Sequence, residues 1–171
     1  MTEPLRLLLR HADAGDRQAW TGPDGRRVLS DLGRVQAQQL VARLGGLPIR
    51  RVLSSPAARC LQTVGPLARA LGLKVETSPL VRIGGDPVVL ARYLRRADTR
   101  GTLVCTHRET LLALFAQYAC AGLRYIDGIT HLPMAASWAL YGGETGLPRV
   151  RYLRPDMRYR GSPERREPSI A

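Results

Sequence analysis

Short apolar runs of strand length alternate along this chain with longer stretches whose apolar residues recur at helical spacing, and few architectures accommodate that rhythm. Residues 5–9 form an apolar run of strand length, the pattern of a strand covered on both faces. Ala37, Leu40, Val41 and Leu44 follow at helical spacing, with Ser30 placed to cap the start and Gly45-Gly46 to stop it. Val52-Leu53 reads as a second strand. Ala57, Leu61, Val64, Ala68 and Leu71 form another stripe, in which Gly65-Pro66 predicts a kink. Residues 74–77 read as a weak strand, and Asp86-Pro87 opens a helix carrying Leu90, Tyr93, Leu94 and Ala97. Thr102–Thr106 reads as a buried strand before a helix with Leu111, Leu114, Phe115 and Tyr118 on one face. Ser137–Tyr141 and Arg149–Leu153 read as late strands joined by a Gly-rich turn. Such alternation predicts an α/β three-layer sandwich, a mostly parallel central sheet with helices on both faces.

Length and composition narrow the class further. At 171 residues and 44% hydrophobic, the chain is expected to form one domain over residues 1–154. Residues 155–171 are polar, Arg- and Pro-rich and aperiodic, and read as a tail. No apolar run approaches the ~18 residues of a membrane span, and no secretory signal is apparent. Cys60, Cys105 and Cys120 offer neither a CxxC pair nor an even disulfide framework, so buried thiols in a reducing cytoplasm are expected. No histidines or cysteines pair at ligand spacing, so neither a metal nor another cofactor is expected.

The charge is lopsided. Twenty-six basic residues against fourteen acidic ones leave a net +12, and Lys74 is the only lysine. Such a surface attracts anions, and arginine adds a planar fork that grips phosphate oxygens in pairs. Phosphorylated proteins, nucleotides, polyphosphate and nucleic acid all satisfy that description. Nucleic acid is the least expected partner, because no helix-turn-helix, aromatic stacking stretch or zinc motif is present.

Three segments place unusual residues just past a strand. They are Arg10-His11-Ala12, Ser54-Ser55-Pro56-Ala57-Ala58-Arg59, and Thr106-His107-Arg108-Glu109. In an open parallel sheet the ligand crevice lies at the carboxyl ends of the strands, so two histidines and two arginines are expected to converge there. Ser54 and Ser55 read as turn and cap residues, since no Gly-x-Ser-x-Gly elbow surrounds them. His131 reads as structural. Asp86 reads as a helix cap.

These segments resemble the motifs of the histidine phosphatase superfamily, the phosphoglycerate-mutase-like family. Its strand–Arg-His-Gly is matched by Leu7-Leu8-Leu9-Arg10-His11-Ala12, with alanine for the glycine. Its Ser-Ser, arginine and Gln-Thr pattern is matched by Ser54-Ser55, Arg59 and Gln62-Thr63, and its buried strand ending in histidine by Val104-Cys105-Thr106-His107. Asp24-Gly25-Arg26-Arg27-Val28-Leu29, with Gly33 and Gln36-Ala37, is similar to a stretch of the small SixA-like branch. Similar sequences also occur as phosphatase domains fused to Nudix hydrolases. The resemblance spans roughly residues 5 to 141.

The resemblance implies a phosphoglycerate-mutase-like fold and a metal-independent phosphatase. His11 would attack phosphorus to give a phosphohistidine, with its other ring nitrogen held by a backbone carbonyl. Arg10, Arg59 and His107 would hold the phosphoryl oxygens, and the two arginines would lower the pKa of His11. Arg17 and Arg27, in the loop after the first motif, are candidate substrate contacts, and Trp20 either a lid or a loop anchor. Where relatives acting on small phosphomonoesters place a glutamate acid, this chain reads Pro79-Leu80-Val81-Arg82-Ile83-Gly84-Gly85. Asp13, Asp86 and Glu109 are the candidate stand-ins. The expected partners are a phosphorylated protein, phosphohistidine above all, or a small phosphorylated metabolite or nucleotide, with phosphate, sulfate or vanadate fitting the same pocket. A phosphate-binding module without turnover is the alternative.

Overall fold

The computed structural model describes residues 5–123, 132–144 and 146–155; His131 and residues 156–171 lie outside them. Six strands form one sheet: β1 (Leu5–Arg10), β2 (Arg51–Ser54), β3 (Val75–Thr77), β4 (Thr102–Thr106), β5 (Ser137–Tyr141) and β6 (Arg149–Leu153). Their order is β3-β2-β4-β1-β5-β6. The first four run parallel, while β5 pairs antiparallel with β1 and β6 antiparallel with β5. The sheet is therefore mixed, with a parallel half carrying the crossovers and an antiparallel half closing its edge.

Among the described residues four helices cover it: α1 (Asp31–Leu44), α2 (Ala58–Ala70), α3 (Pro87–Leu94) and α4 (Arg108–Cys120). The two-residue period of the strands divides the apolar residues between two cores. Leu7, Leu9, Val52, Leu103 and Cys105 pack with Leu40 and Leu44 of α1 and with Val64 and Leu67 of α2. Leu8, Leu53, Val104 and Trp138 face the other way, onto Leu90 and Leu94 of α3 and Leu111, Leu114 and Phe115 of α4. Two-sided burial is why these strands read as apolar runs and not as alternations. Arg6 interrupts the first run without leaving the core. It is fully buried, and its guanidinium donates to Thr99 Oγ1 (2.8 Å) and to the Arg96 (2.7 Å) and Gly142 (3.1 Å) carbonyls.

Several expectations need correction. The buried face of α2, which carries Pro66 within it, is Arg59, Cys60, Thr63, Val64, Leu67 and Ala68, while Leu61 and Leu71 are half-buried. The stripe shifts because Arg59 and Thr63 turn inward to the site. α3 ends at Leu94, so Ala97 falls, exposed, in the 3-10 turn Ala97–Thr99. Cys120, expected to be buried, is exposed at the last turn of α4. Among the described residues, no helix is long and apolar enough to cross a membrane.

The start of α1 docks directly on the loop that follows His11. Ser30 caps the helix by accepting from the Gly33 N–H (3.0 Å), and the Ser30 N–H donates to the Asp13 carbonyl (3.0 Å). A Cβ at Gly33 would stand 1.9 Å from that same carbonyl oxygen, backbone against backbone, where neither side can yield cheaply. Gly33→Ala is therefore expected to destabilise the fold by roughly 2–4 kcal/mol in urea unfolding. A loss below 0.5 kcal/mol would show that the two segments separate freely.

Candidate active site

Parallel register brings the three segments level. Arg10 pairs with Thr106 and Ser54 with Cys105, and one residue on, the His11 N–H donates to the Thr106 carbonyl (2.9 Å) and the Ser55 N–H to the Cys105 carbonyl (3.0 Å). His11 and His107 consequently meet edge to face with ring centroids 5.3 Å apart. Helices α2 and α4 both begin here, at Ala57 and His107, and neither start carries a side-chain cap. Two positive helix ends therefore open onto the strand ends, a field suited to an anion.

His11 is only 6% exposed. Its Nδ1 lies 2.8 Å from the Ala12 carbonyl, which can only accept, so the proton sits on Nδ1 and Nε2 keeps a free lone pair. The imidazole pKa falls from 6.5 to about 3. Burial is the largest cause, and the charges of His107, Arg59 and Arg10 add to it against the pull of the Ala12 bond. Burial thus outranks the arginines to which the sequence alone points. The backbone beside the ring is fixed in turn: Thr63 Oγ1 accepts from the Ala12 N–H (2.9 Å) and Gln36 Oε1 from the Asp13 N–H (2.8 Å).

Arg59 is 2% exposed and reaches across the site. Nη1 donates to the Asp24 carbonyl (2.7 Å), and Nη2 to Asp24 Oδ2 (2.9 Å) and to His107 Nδ1 (3.2 Å). His107 Nδ1 is then an acceptor, which leaves its proton on Nε2, donated to Ser55 Oγ (2.8 Å). Arg10 donates through Nη1 to the Leu132 carbonyl, and burial, followed by the charge of Arg108, lowers its pKa. The Nε–H groups of both Arg10 and Arg59 are buried without a partner. Unmatched buried donors are costly, and two of them on arginines whose charges reach an unprotonated imidazole suit an oxyanion.

Asp24, in the 3-10 turn Asp24–Arg26, is the residue whose place the sequence leaves unannounced. Its carboxylate meets Arg59, Arg27 (3.3 Å) and Arg17 (3.7 Å). Burial pushes its pKa up, but Arg59, Arg27 and Arg17 more than reverse that, so it is held as a carboxylate. Arg27 spends the rest of its fork on the Ala14 (2.8 Å) and Gly15 (3.3 Å) carbonyls, and Arg17 is exposed. Both clamp the loop. Trp20 does likewise, donating from Nε1 to the Pro23 carbonyl (3.1 Å).

A hollow of about 410 Å³ opens beside these groups, walled by Asp24, Ser55, Arg59, Arg82, Ile83 and His107 among others. Arg10 and His11 are not in its wall. The three candidate acids are not there either. Asp13 accepts from Ser30 Oγ and the Gly15 N–H, and Asp86 accepts from the Val88 N–H (2.8 Å) at the head of α3. Glu109 stands in the first turn of α4, where its charge acts on Arg10.

The histidine phosphatase superfamily (branch 1) model matches residues 7–82. An 8-oxo-(d)GTP phosphatase of Mycolicibacterium smegmatis is 28% identical over 154 residues, 87% of this chain but 48% of that protein. The chain thus spans about half the length of that curated relative. Among solved structures, the protein histidine phosphatase SixA complexed with tungstate superposes with a TM-score of 0.72 at 23% identity, covering 88% of this chain and 97% of the other. A mycobacterial glucosyl-3-phosphoglycerate phosphatase in complex with VO3 superposes with a TM-score of 0.64 at 18% identity, covering 87% and 96%. At these identities the structural likeness establishes the fold.

Two outcomes are expected from this geometry. An anion reaching Arg59 competes with the Asp24 carboxylate, so Asp24→Ala should tighten vanadate binding several-fold; unchanged or weaker binding would show that the carboxylate does not compete. In the second, the unfolded chain protonates His11 near pH 6.5 and the folded chain only near 3, so stability present above 6.5 is lost as pH falls toward 3. At ~1.4 kcal/mol per pH unit, wild type should lose about 1–2 kcal/mol more than His11→Gln between pH 6.5 and 5 in urea unfolding. Equal losses would show an imidazole that titrates normally.

Proposed function

We propose that the chain is a member of the histidine phosphatase superfamily, whose branch 1 model matches residues 7–82, and that it is a metal-independent phosphatase working through a phosphohistidine on His11. The observation that carries this reading is the Nδ1 bond to the Ala12 carbonyl, which leaves Nε2 of the buried ring unprotonated, with unmatched Nε–H donors on the nearby Arg10 and Arg59. Nε2 attacks phosphorus in line as the bond to the leaving group breaks. Arg10 and Arg59 take the charge spreading over the equatorial oxygens, the substrate replacing Asp24 on Arg59. Water then attacks the phosphohistidine, the N–P bond breaks, and phosphate leaves.

Substrates in this proposal are phosphorylated proteins or small phosphoesters and nucleotides. Their range follows the relatives, whose names cover a protein histidine phosphatase, a sugar-acid phosphatase and an 8-oxo-(d)GTP phosphatase. The tungstate and VO3 complexes of two neighbours support oxyanions as ligands of the same pocket.

His11→Ala should abolish hydrolysis of p-nitrophenyl phosphate, by 10³-fold or more on the order expected for a lost nucleophile, while its circular dichroism and Tm stay close to wild type. Vanadate or tungstate should inhibit, and EDTA should not. Near-native turnover in the variant would refute the nucleophile, and loss of activity with EDTA would point to a metal enzyme. Tight phosphate binding with no turnover of any substrate would make the protein a binding module.

A further inference from the structure

We infer that the leaving group this site is built for is itself an anion, so that its substrates are phosphoanhydrides, cleaved at a terminal phosphoryl group with Arg82 facing the departing phosphate. The inference rests on the phosphatase reading above and deepens it.

Arg82 is the second cation in the wall of the hollow, and unlike Arg59 it has no partner for its guanidinium among the described residues. Its backbone is nonetheless held firmly. Thr106 Oγ1 donates to the Val81 carbonyl (2.5 Å) and Thr110 Oγ1 to the Arg82 carbonyl (3.0 Å), tying the segment to the end of β4 and the first turn of α4. The Ser78 N–H donates to the Ser54 carbonyl (3.0 Å), and Val81 is buried in the core. Past Arg82 the chain turns at Gly84 (φ +75°), and at Gly85 a Cβ would stand 2.5 Å from the Leu80 carbonyl. The backbone that carries this exposed, unpaired arginine is thus tied to the same strand and helix that carry His107.

Three leaving groups can be compared at this wall. A sugar alcohol leaves as an alkoxide and needs a proton, yet the single carboxyl in the wall is Asp24, ionised and held by Arg59, Arg27 and Arg17. An imidazole leaving a phosphoramidate departs neutral or protonated, and a guanidinium gives it nothing. A phosphate or diphosphate leaves as a stable anion that needs no proton, and Arg82 supplies a fork for its oxygens. The negative charge of Asp24 in the same wall is matched by its own three arginines, so Arg82 is the unspent charge. In the first step His11 Nε2 bonds to the terminal phosphorus, the bridging P–O bond breaks, and its electron pair stays on the departing phosphate. In the second, water replaces His11, which leaves with its lone pair, and the water protons pass to the released phosphate and solvent.

The test measures kcat and KM for tripolyphosphate, acetyl phosphate, N-phosphohistidine and a hexose phosphate with wild type, Arg82→Gln and Arg82→Lys. Arg82→Gln should lower kcat/KM for tripolyphosphate about tenfold and leave N-phosphohistidine within twofold, with Arg82→Lys recovering part of the loss. Acetyl phosphate losing tenfold while tripolyphosphate is not cleaved would overturn the phosphoanhydride in favour of an acyl phosphate. Equal losses on every substrate, or none, would overturn any role of Arg82 toward the leaving group. Both failures leave the phosphatase reading standing so long as turnover still requires His11; an enzyme with no His11-dependent turnover fails that reading instead.

Discussion

The parallel register of β1, β2 and β4 is the constraint on which this molecule rests. Each strand ends within a residue of its neighbour, so His11, Ser55 and His107 emerge side by side although they are separated by tens of residues in sequence. The pairing is fixed from both faces. Leu7 and Leu9 enter one core and Leu8 the other, so a slip of one residue would exchange the cores wholesale and turn Arg10 and His11 onto opposite sides. The chemistry at the rim is thus as well determined as the packing in the middle.

What is built at that rim is electrostatically expensive. An imidazole, two guanidinium groups and a carboxylate share a site where His11 and Arg59 are almost wholly excluded from water. Each charge or dipole is therefore answered locally: His11 by the Ala12 carbonyl, Arg10 by the Leu132 carbonyl, Arg59 by Asp24 and His107. Asp24 does for Arg59 what a bound oxyanion would do, which lowers the cost of folding an empty anion site. The same arrangement explains why a buried histidine beside two cations is tolerable at all, since its neutral form is the one the fold stabilises.

Much of this was readable from residues alone, and the reason is physical. Two-sided burial leaves apolar runs, helix starts leave Ser30 and Asp86, and strand ends in a parallel sheet leave Arg10, His11 and His107 in recognisable positions. Less legible was anything decided across the chain by a loop. Nothing near Asp24 announces that its partner is Arg59, 35 residues away. Arg17 and Arg27 read as candidate substrate contacts because their local sequence hides the carboxylate and carbonyls that occupy them. The face of α2 was misjudged for a related reason: Arg59 and Thr63 are polar, and a hydrophobic stripe cannot reveal polar residues buried for a site.

The net charge of +12 carries a similar lesson. As a bulk quantity it advertises anionic partners, yet a share of the arginines behind it works inside the fold. Arg6 ties three segments together at the far end of β1, Arg27 clamps the loop over the site, and Arg59 is engaged through both Nη groups. A guanidinium with its donors matched by carbonyls attracts ligands far less than its formal charge suggests, because those dipoles offset its field where a ligand would stand. The useful quantity is therefore the cation that remains unmatched next to the reacting atoms. Around this hollow, and among the described residues, that is Arg82, while the buried Nε–H groups of Arg10 and Arg59 are left unmatched as well.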